Sequence, residues 1–222
     1  MQFVAVQELP MRMKKKPNLA LRLERRADLL VAEPKLLRGL WLDNFCGDEL
    51  RAEIGCGKGR FTVETAKAEP DVLFVALEKT SNVLITALER VASEGLQNVR
   101  FINAFADDLP DYFAPGEVSR IYLNFCDPWP SNRHLKRRLT YRSILDLYRQ
   151  VLSPGGELYF KTDNLQLFEF SLREFEYSGF AAIETVRDLH KNGPVGIMSD
   201  YELKFHEQGE PIFMCRTQRP AK

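Results

Sequence analysis

The sequence has few of the residues that staple or anchor a chain. Its four cysteines, Cys46, Cys56, Cys126 and Cys215, form no C-x-x-C pair, and its three histidines do not cluster with them. Neither a disulfide framework nor a metal site is expected. Cys56 and Cys126 lie within or beside apolar runs, where cysteine acts as a small buried hydrophobe, and this suits a reducing cytoplasm. No apolar run approaches the ~18 residues needed to cross a bilayer. Met1 to Pro10 carries Gln7 and Glu8 in place of the apolar stretch of a signal peptide. A cytoplasmic chain with no membrane partner is therefore expected. An excess of one charge is also missing, since Lys plus Arg and Asp plus Glu each total 31. Net charge thus argues neither for nor against nucleic-acid binding, and only the placement of cations carries that information.

What is present is enough for one substantial core: 222 residues, 45% hydrophobic and 28% charged. Residues 1–47 read as a partly flexible N-terminal arm. They hold the basic run Arg12-Met-Lys14-Lys15-Lys16, ended by Pro17, then a mixed charged stretch with too little apolar residue to bury a core alone. From about residue 48 the pattern becomes regular. Leu50–Ile54, Val72–Leu77, Val99–Asn103, Arg120–Phe125 and Glu157–Thr162 read as strands, with two more near 181–187 and 211–218. Gly59–Ala68, a segment capped by Ser81 or Asn82, Leu135–Leu152 and Asn164–Tyr177 read as helices, the third stopped by Ser153-Pro-Gly-Gly156. Strands alternating with helices predict an α/β fold with a mostly parallel, doubly wound sheet and helices on both faces. Ligands of such sheets bind beyond the carboxyl ends of the strands, so the residues just after each strand matter most.

After the first strand stands Glu53-Ile-Gly55-Cys-Gly57-Lys-Gly59. Glycines there let the backbone turn tightly and approach a ligand. The spacing fits neither a P-loop nor a dinucleotide fingerprint, whose last glycine would fall on Arg60. A tight turn with no ligand also fits the loop taken alone. An acidic residue two positions before G-x-G-x-G resembles the first motif of Rossmann-like methyltransferases. A carboxylate there favours the ammonium of S-adenosyl-L-methionine and would repel a pyrophosphate. Glu78 ends the next strand, where a carboxylate can accept both ribose hydroxyls. The third strand ends at Asn103-Ala-Phe105-Ala, a turn that usually contacts the adenine in this fold.

Asn124-Phe-Cys-Asp127-Pro128-Trp129-Pro130 follows the fourth strand, and its prolines stiffen the turn. Arg133-His-Leu-Lys136-Arg137-Arg138 comes next. Four cations beside a presumed site read as phosphate contacts, although a charge run is also how a solvated helix face looks.

Together these stretches resemble the bacterial tRNA (guanine-N7-)-methyltransferase family. The resemblance rests on Arg12-Met-Lys, Glu53–Gly59, Tyr122–Pro130, Arg133-His-Leu-Lys-Arg-Arg-Leu-Thr-Tyr141, Phe160-Lys-Thr-Asp-Asn164, Ile197-Met-Ser-Asp-Tyr-Glu202 and Lys204-Phe205. It spans the chain from about Met11 onward and implies a class I methyltransferase domain over 48–222 with a seven-stranded sheet. It implies methylation of guanine N7 at position 46 of the tRNA variable loop, with S-adenosyl-L-methionine as cofactor and tRNA as partner. Position by position, it implies that Glu53, Gly55, Gly57, Glu78, Phe105 and Asp127 bind the cofactor. Asp127 and Asp163 would serve the chemistry. Ser131, Arg133, Arg137, Arg138, Asp163, Ser199 and Glu202 would bind the substrate, the Ser199–Glu202 segment closing over it. There are two departures from the family pattern: Phe105 stands where an acidic residue is common, and Ser131 and Asn132 where a lysine is. An amino-methyltransferase of RNA or DNA and a non-catalytic RNA-binding module remain open alternatives. The sequence does not fix the oligomeric state and leaves a homodimer open.

Overall fold

The computed structural model describes residues 16–221. Met1–Pro10 and the basic run from Arg12 through Lys15 therefore lie outside the described residues. Seven strands form one sheet: β1 (Glu49–Ile54), β2 (Val72–Leu77), β3 (Val99–Ile102), β4 (Val118–Asn124), β5 (Leu152–Thr162), β6 (Ala181–Val186) and β7 (Phe213–Gln218). Their order is β3-β2-β1-β4-β5-β7-β6. The first five run parallel, and β7 is antiparallel to both β5 and β6.

The helices are α1 (Leu19–Glu24), α2 (Trp41–Asn44), α3 (Arg60–Ala68), α4 (Ser81–Glu94), α5 (Leu109–Tyr112), α6 (Arg142–Val151), α7 (Leu165–Tyr177) and α8 (Asp200–Glu207). Strand alternation sorts the core into two layers. Leu73, Val75 and Leu77 of β2 face one layer with Tyr148 of α6 and Phe168 of α7; Val72, Phe74 and Ala76 face the other with Leu84 and Leu88 of α4. That is why β2 is apolar at every position: it is buried on both faces. Residues 16–47 lie against this body. Trp41 is completely buried in the first layer and donates from Nε1 to the Tyr112 carbonyl at 2.9 Å; Leu29 packs into the second.

Three expected elements differ. Leu135–Leu152 is not one helix: a 3₁₀ segment, Asn132–Arg137, is followed by extended backbone at Arg138, and α6 starts at Arg142. Arg138 breaks the helix because its side chain is turned inward to backbone carbonyls, described below. β5 begins at Leu152, before Ser153-Pro-Gly-Gly156, because Leu152 pairs with Val118 and the glycine-rich stretch forms an irregularity within the strand. The N-cap position of α4 falls on Thr80 rather than Ser81 or Asn82, with no side-chain capping bond. The Ser81 hydroxyl instead donates to Asn103 Oδ1 at 2.6 Å.

Glu49 at the start of β1 accepts from Arg51 Nε and Nη2 at 2.7 and 3.0 Å, and from Ser119 Oγ at 2.5 Å. The Arg51 guanidinium chiefly holds its carboxyl down, to about 2 against an ordinary 4.5. The folded state thus favours the ionised form. The contribution is complete above about pH 4.5 and is lost as pH falls toward 2. Glu49→Gln is expected to lower the urea midpoint near neutrality, and the gap to wild type should close on acidification through that window.

Candidate active site

The ends of β1 and β2 are joined by a carboxylate. Glu78 Oε2 accepts from the Gly57 amide at 3.2 Å, and its Oε1 accepts from the Thr80 amide at 2.9 Å. Asn103, after β3, donates from Nδ2 to the Glu78 carbonyl at 2.7 Å. Lys79 Nζ lies 3.8 Å from Asp127 Oδ2 after β4. Glu53, Gly55, Gly57, Glu78 and Asp127 therefore share one end of the sheet, and Phe105, 59% exposed, follows β3 at the same end. Lys79 carried no sequence signal, because an exposed lysine after a strand is ordinary.

The glycines of the loop do different work. All three have left-handed φ, 79° at Gly55, 59° at Gly57 and 79° at Gly59. A Cβ at Gly57 would meet nothing within 4 Å, and one at Gly55 only Leu139 Cδ1 at 3.9 Å. At Gly59 it would lie 2.6 Å from Ala87 Cβ, so this glycine lets α3 pack directly on α4. Gly55 and Gly57 thus leave open space in front of the loop.

Glu53 is buried. It accepts from Thr62 Oγ1 at 2.5 Å and from Asn124 Nδ2 at 3.1 Å. Burial raises its pKa, opposed by those two hydrogen bonds and by the charge of Lys161. Asn124 Oδ1 is buried beside it with no hydrogen-bond partner. A carboxylate, an unsatisfied amide oxygen and an open glycine cradle fit a cofactor that brings ammonium donors and needs close backbone approach. Adenosylmethionine has those features.

The turn after β4 is held in an uncommon shape. Phe125 and Trp129 have φ of 54° and 42°, a left-handed conformation that costs roughly 1–2 kcal/mol per non-glycine residue. Ser131 Oγ caps the following 3₁₀ segment by accepting from the Arg133 amide at 3.3 Å. Arg133 and Arg137 are exposed, and the Arg137 guanidinium sits 5.0 Å over the Trp129 ring. Arg138 differs from its neighbours: it is 6% exposed and donates from Nε to the Pro128 carbonyl at 2.9 Å and from Nη2 to the Trp129 carbonyl at 3.1 Å. Its guanidinium is therefore not offered to solvent with the other cations.

Asp163 follows β5 and is partly buried. Desolvation raises its pKa, and the nearby charge of Glu210 acts in the same direction. Ser199 and Glu202 form a capping box at the start of α8. Glu202 is fully buried here, its carboxylate turned to internal partners. It accepts from Lys161 Nζ at 2.5 Å, and its other oxygen meets His190 Nε2 at 3.0 Å. His190 Nδ1 accepts from the Val195 amide at 3.1 Å, which leaves the ring proton on Nε2 to donate to Glu202. Arg90 Nη1 adds a second tie, 2.7 Å from Asp200 Oδ2. Lys161 was detectable in the sequence as a cation in an apolar strand that must find a partner; His190 was not. Among the described residues no group of three or more His, Cys, Asp or Glu gathers as a metal site.

A parallel sheet with β7 reversed beside β5, and an acidic glycine loop bonded to the carboxylate ending β2, define a Rossmann-like methyltransferase. Solved structures share that fold. The 16S rRNA methyltransferase KamB superposes with a TM-score of 0.62 at 16% identity, over 84% of this chain and 92% of that one. An antibiotic-related methyltransferase gives 0.59 at 18% identity, over 78% of this chain and 87% of that one. The family model described as "Putative methyltransferase" matches residues 48–215. The tRNA (guanine-N(7)-)-methyltransferase of Geobacillus kaustophilus is 44% identical over 214 residues, 96% of this chain and 99% of that protein. The Bacillus subtilis protein of the same name is 42% identical over 94% of this chain and 99% of its own length. The chain belongs to the tRNA (guanine-N7-)-methyltransferase family.

Proposed function

We propose that the chain transfers the methyl group of S-adenosyl-L-methionine to guanine N7 in tRNA, at position 46 of the variable loop. The observation that carries this reading is the shared location of the Glu53–Gly59 loop, Glu78 and Asp127 at the sheet end from which Asp163 also emerges. The names of the relatives support it. Glu53, Gly55, Gly57, Glu78 and Asp127 would hold the cofactor, with Phe105 at its adenine end. When bound, the cofactor supplies an electrophilic methyl on sulfur.

Guanine N7 bears a lone pair and no proton, so the protein need not supply a base before transfer. Its task is placement, for which good orientation supplies on the order of 7–11 kcal/mol. An ionised Asp163 accepts from the guanine N1–H and exocyclic amine and offsets the positive charge that develops on the purine. Ser131, Arg133 and Arg137 would meet the tRNA. Replacing Arg133 and Arg137 with methionine is expected to weaken tRNA binding and to flatten its log–log salt slope by roughly 0.7–0.9 per lost phosphate contact. An unchanged slope in filter binding would mark them as solvated surface.

Incubating the chain with unmodified bulk tRNA and labelled cofactor, then digesting to nucleosides, tests the whole reading. Labelled 7-methylguanosine is expected. Label on an adenine or cytosine amino group would favour an amino-methyltransferase, and cofactor binding without any labelled nucleoside a non-catalytic module.

A further inference from the structure

We infer that Arg138 is a positioning residue for methyl transfer, acting by clamping the Asp127-Pro-Trp-Pro turn rather than by meeting RNA phosphate. The inference rests on the assignment of that turn to the cofactor and substrate site. In sequence Arg138 is the last of a run of cations and looks like its neighbours. In the fold it is separated from them. Arg133, Lys136 and Arg137 are exposed, whereas Arg138 lies under the turn.

One edge of the guanidinium is held by local partners. Nε and Nη2 reach the successive carbonyls of Pro128 and Trp129, and its carbon sits 4.4 Å over the Phe170 ring of α7. Among the described residues no carboxylate pairs with it. A planar fork fixes two consecutive carbonyls at once, which a lysine ammonium does not reproduce. Those carbonyls belong to the segment that holds Trp129 at a φ of 42°. Strain of that kind persists only where the surroundings over-determine it, and Arg138, seated on Phe170, is part of that surrounding. The same turn carries Asp127, one residue before Pro128, so the clamp sets where Asp127 stands relative to Lys79 and the glycine loop.

The discriminating experiment keeps the charge and removes the fork. On the clamp reading, Arg138→Lys and Arg138→Met both lose kcat by roughly 10–100-fold, as a displacement of about 1 Å at a reacting site costs. KM for tRNA and the salt slope of binding stay at wild-type values in both. Near-normal turnover in Arg138→Lys, or a salt slope reduced in Arg138→Met, would overturn the clamp in favour of a phosphate contact. Because either variant can misfold, the wild-type chain provides a second test by NMR of its arginine Nε–H groups. The Arg138 signal is expected to exchange slowly with solvent and to hold its shift as tRNA is added, while those of Arg133 and Arg137 move. A moving Arg138 signal sinks the proposal. If the wild-type chain makes no 7-methylguanosine, the functional reading fails separately, and the Arg138 signal still decides whether its guanidinium is internal.

Discussion

Asp163→Ala is expected to reduce methyl transfer to tRNA by about 10²–10³-fold, the usual loss when one preorganised group facing developing charge is removed. Binding of S-adenosylhomocysteine, read by calorimetry, should stay close to wild type. The division follows from topology. Asp163 ends β5, two strands from β1 and its glycine loop, and no hydrogen bond links its side chain to Glu53 or Glu78. Burial already pushes its carboxyl up. Its ionised form, the one suited to guanine, is therefore lost on acidification sooner than for an exposed aspartate. The turnover of the wild-type chain should fall on the acid side of the profile while cofactor affinity changes less. Asp163→Asn keeps the shape and exchanges one acceptor for a donor, so it should fail nearly as badly as alanine. Parallel loss of cofactor binding and turnover in Asp163→Ala would refute this separation of roles.

Glu202→Ala is expected to destabilise the fold by about 3–5 kcal/mol, the cost of breaking a buried ion pair and leaving its partner unpaired. Glu202 has no solvent exposure, and the Lys161 side chain is 10% exposed. Removing the carboxylate leaves the Lys161 ammonium with the Ile197 carbonyl at 3.1 Å, and leaves the His190 ring proton without its acceptor. It also removes one half of the capping box of α8. The double change Lys161→Met with Glu202→Leu should recover a large part of the loss, since two apolar side chains replace both charges. Urea midpoints of the single and double variants measure this. If Glu202 instead touched tRNA, Glu202→Ala would weaken tRNA binding and leave the midpoint unmoved.

Much of the sheet was legible in the sequence because its signals are local. The uninterrupted apolar run of β2 requires no knowledge of distant partners. The glycine loop and Glu78 were legible for a similar reason: their positions at strand ends follow from alternation alone. Arg138 and Glu202 were not. Each sits in a segment of charged residues, and whether one of them turns inward depends on contacts far along the chain. Arg138 is chosen by the carbonyls of a strained turn and the face of Phe170; Glu202 is chosen by Lys161 and by His190. The expected helix from Leu135 failed on the same point, because its charge pattern suits a solvated helix, whereas Arg138 must leave the helical path to reach Pro128. Asn124, at the head of the Asp127-Pro-Trp-Pro stretch, turns back instead, its amide nitrogen donating to Glu53.

The placement of β7 has a consequence for how the protein is made. This strand, 213–218, is the last among the described residues, yet it lies inside the sheet, between β5 and β6. Among the described residues β6 pairs with no other strand. A chain still on the ribosome and lacking β7 therefore has an open edge at β5 and a loose strand at β6, each able to pair with another chain. The five parallel strands can assemble as they emerge, but closure of that edge must wait until residues 213–218 have been made. A premature stop before Phe213 would thus produce an aggregating polypeptide rather than a smaller enzyme.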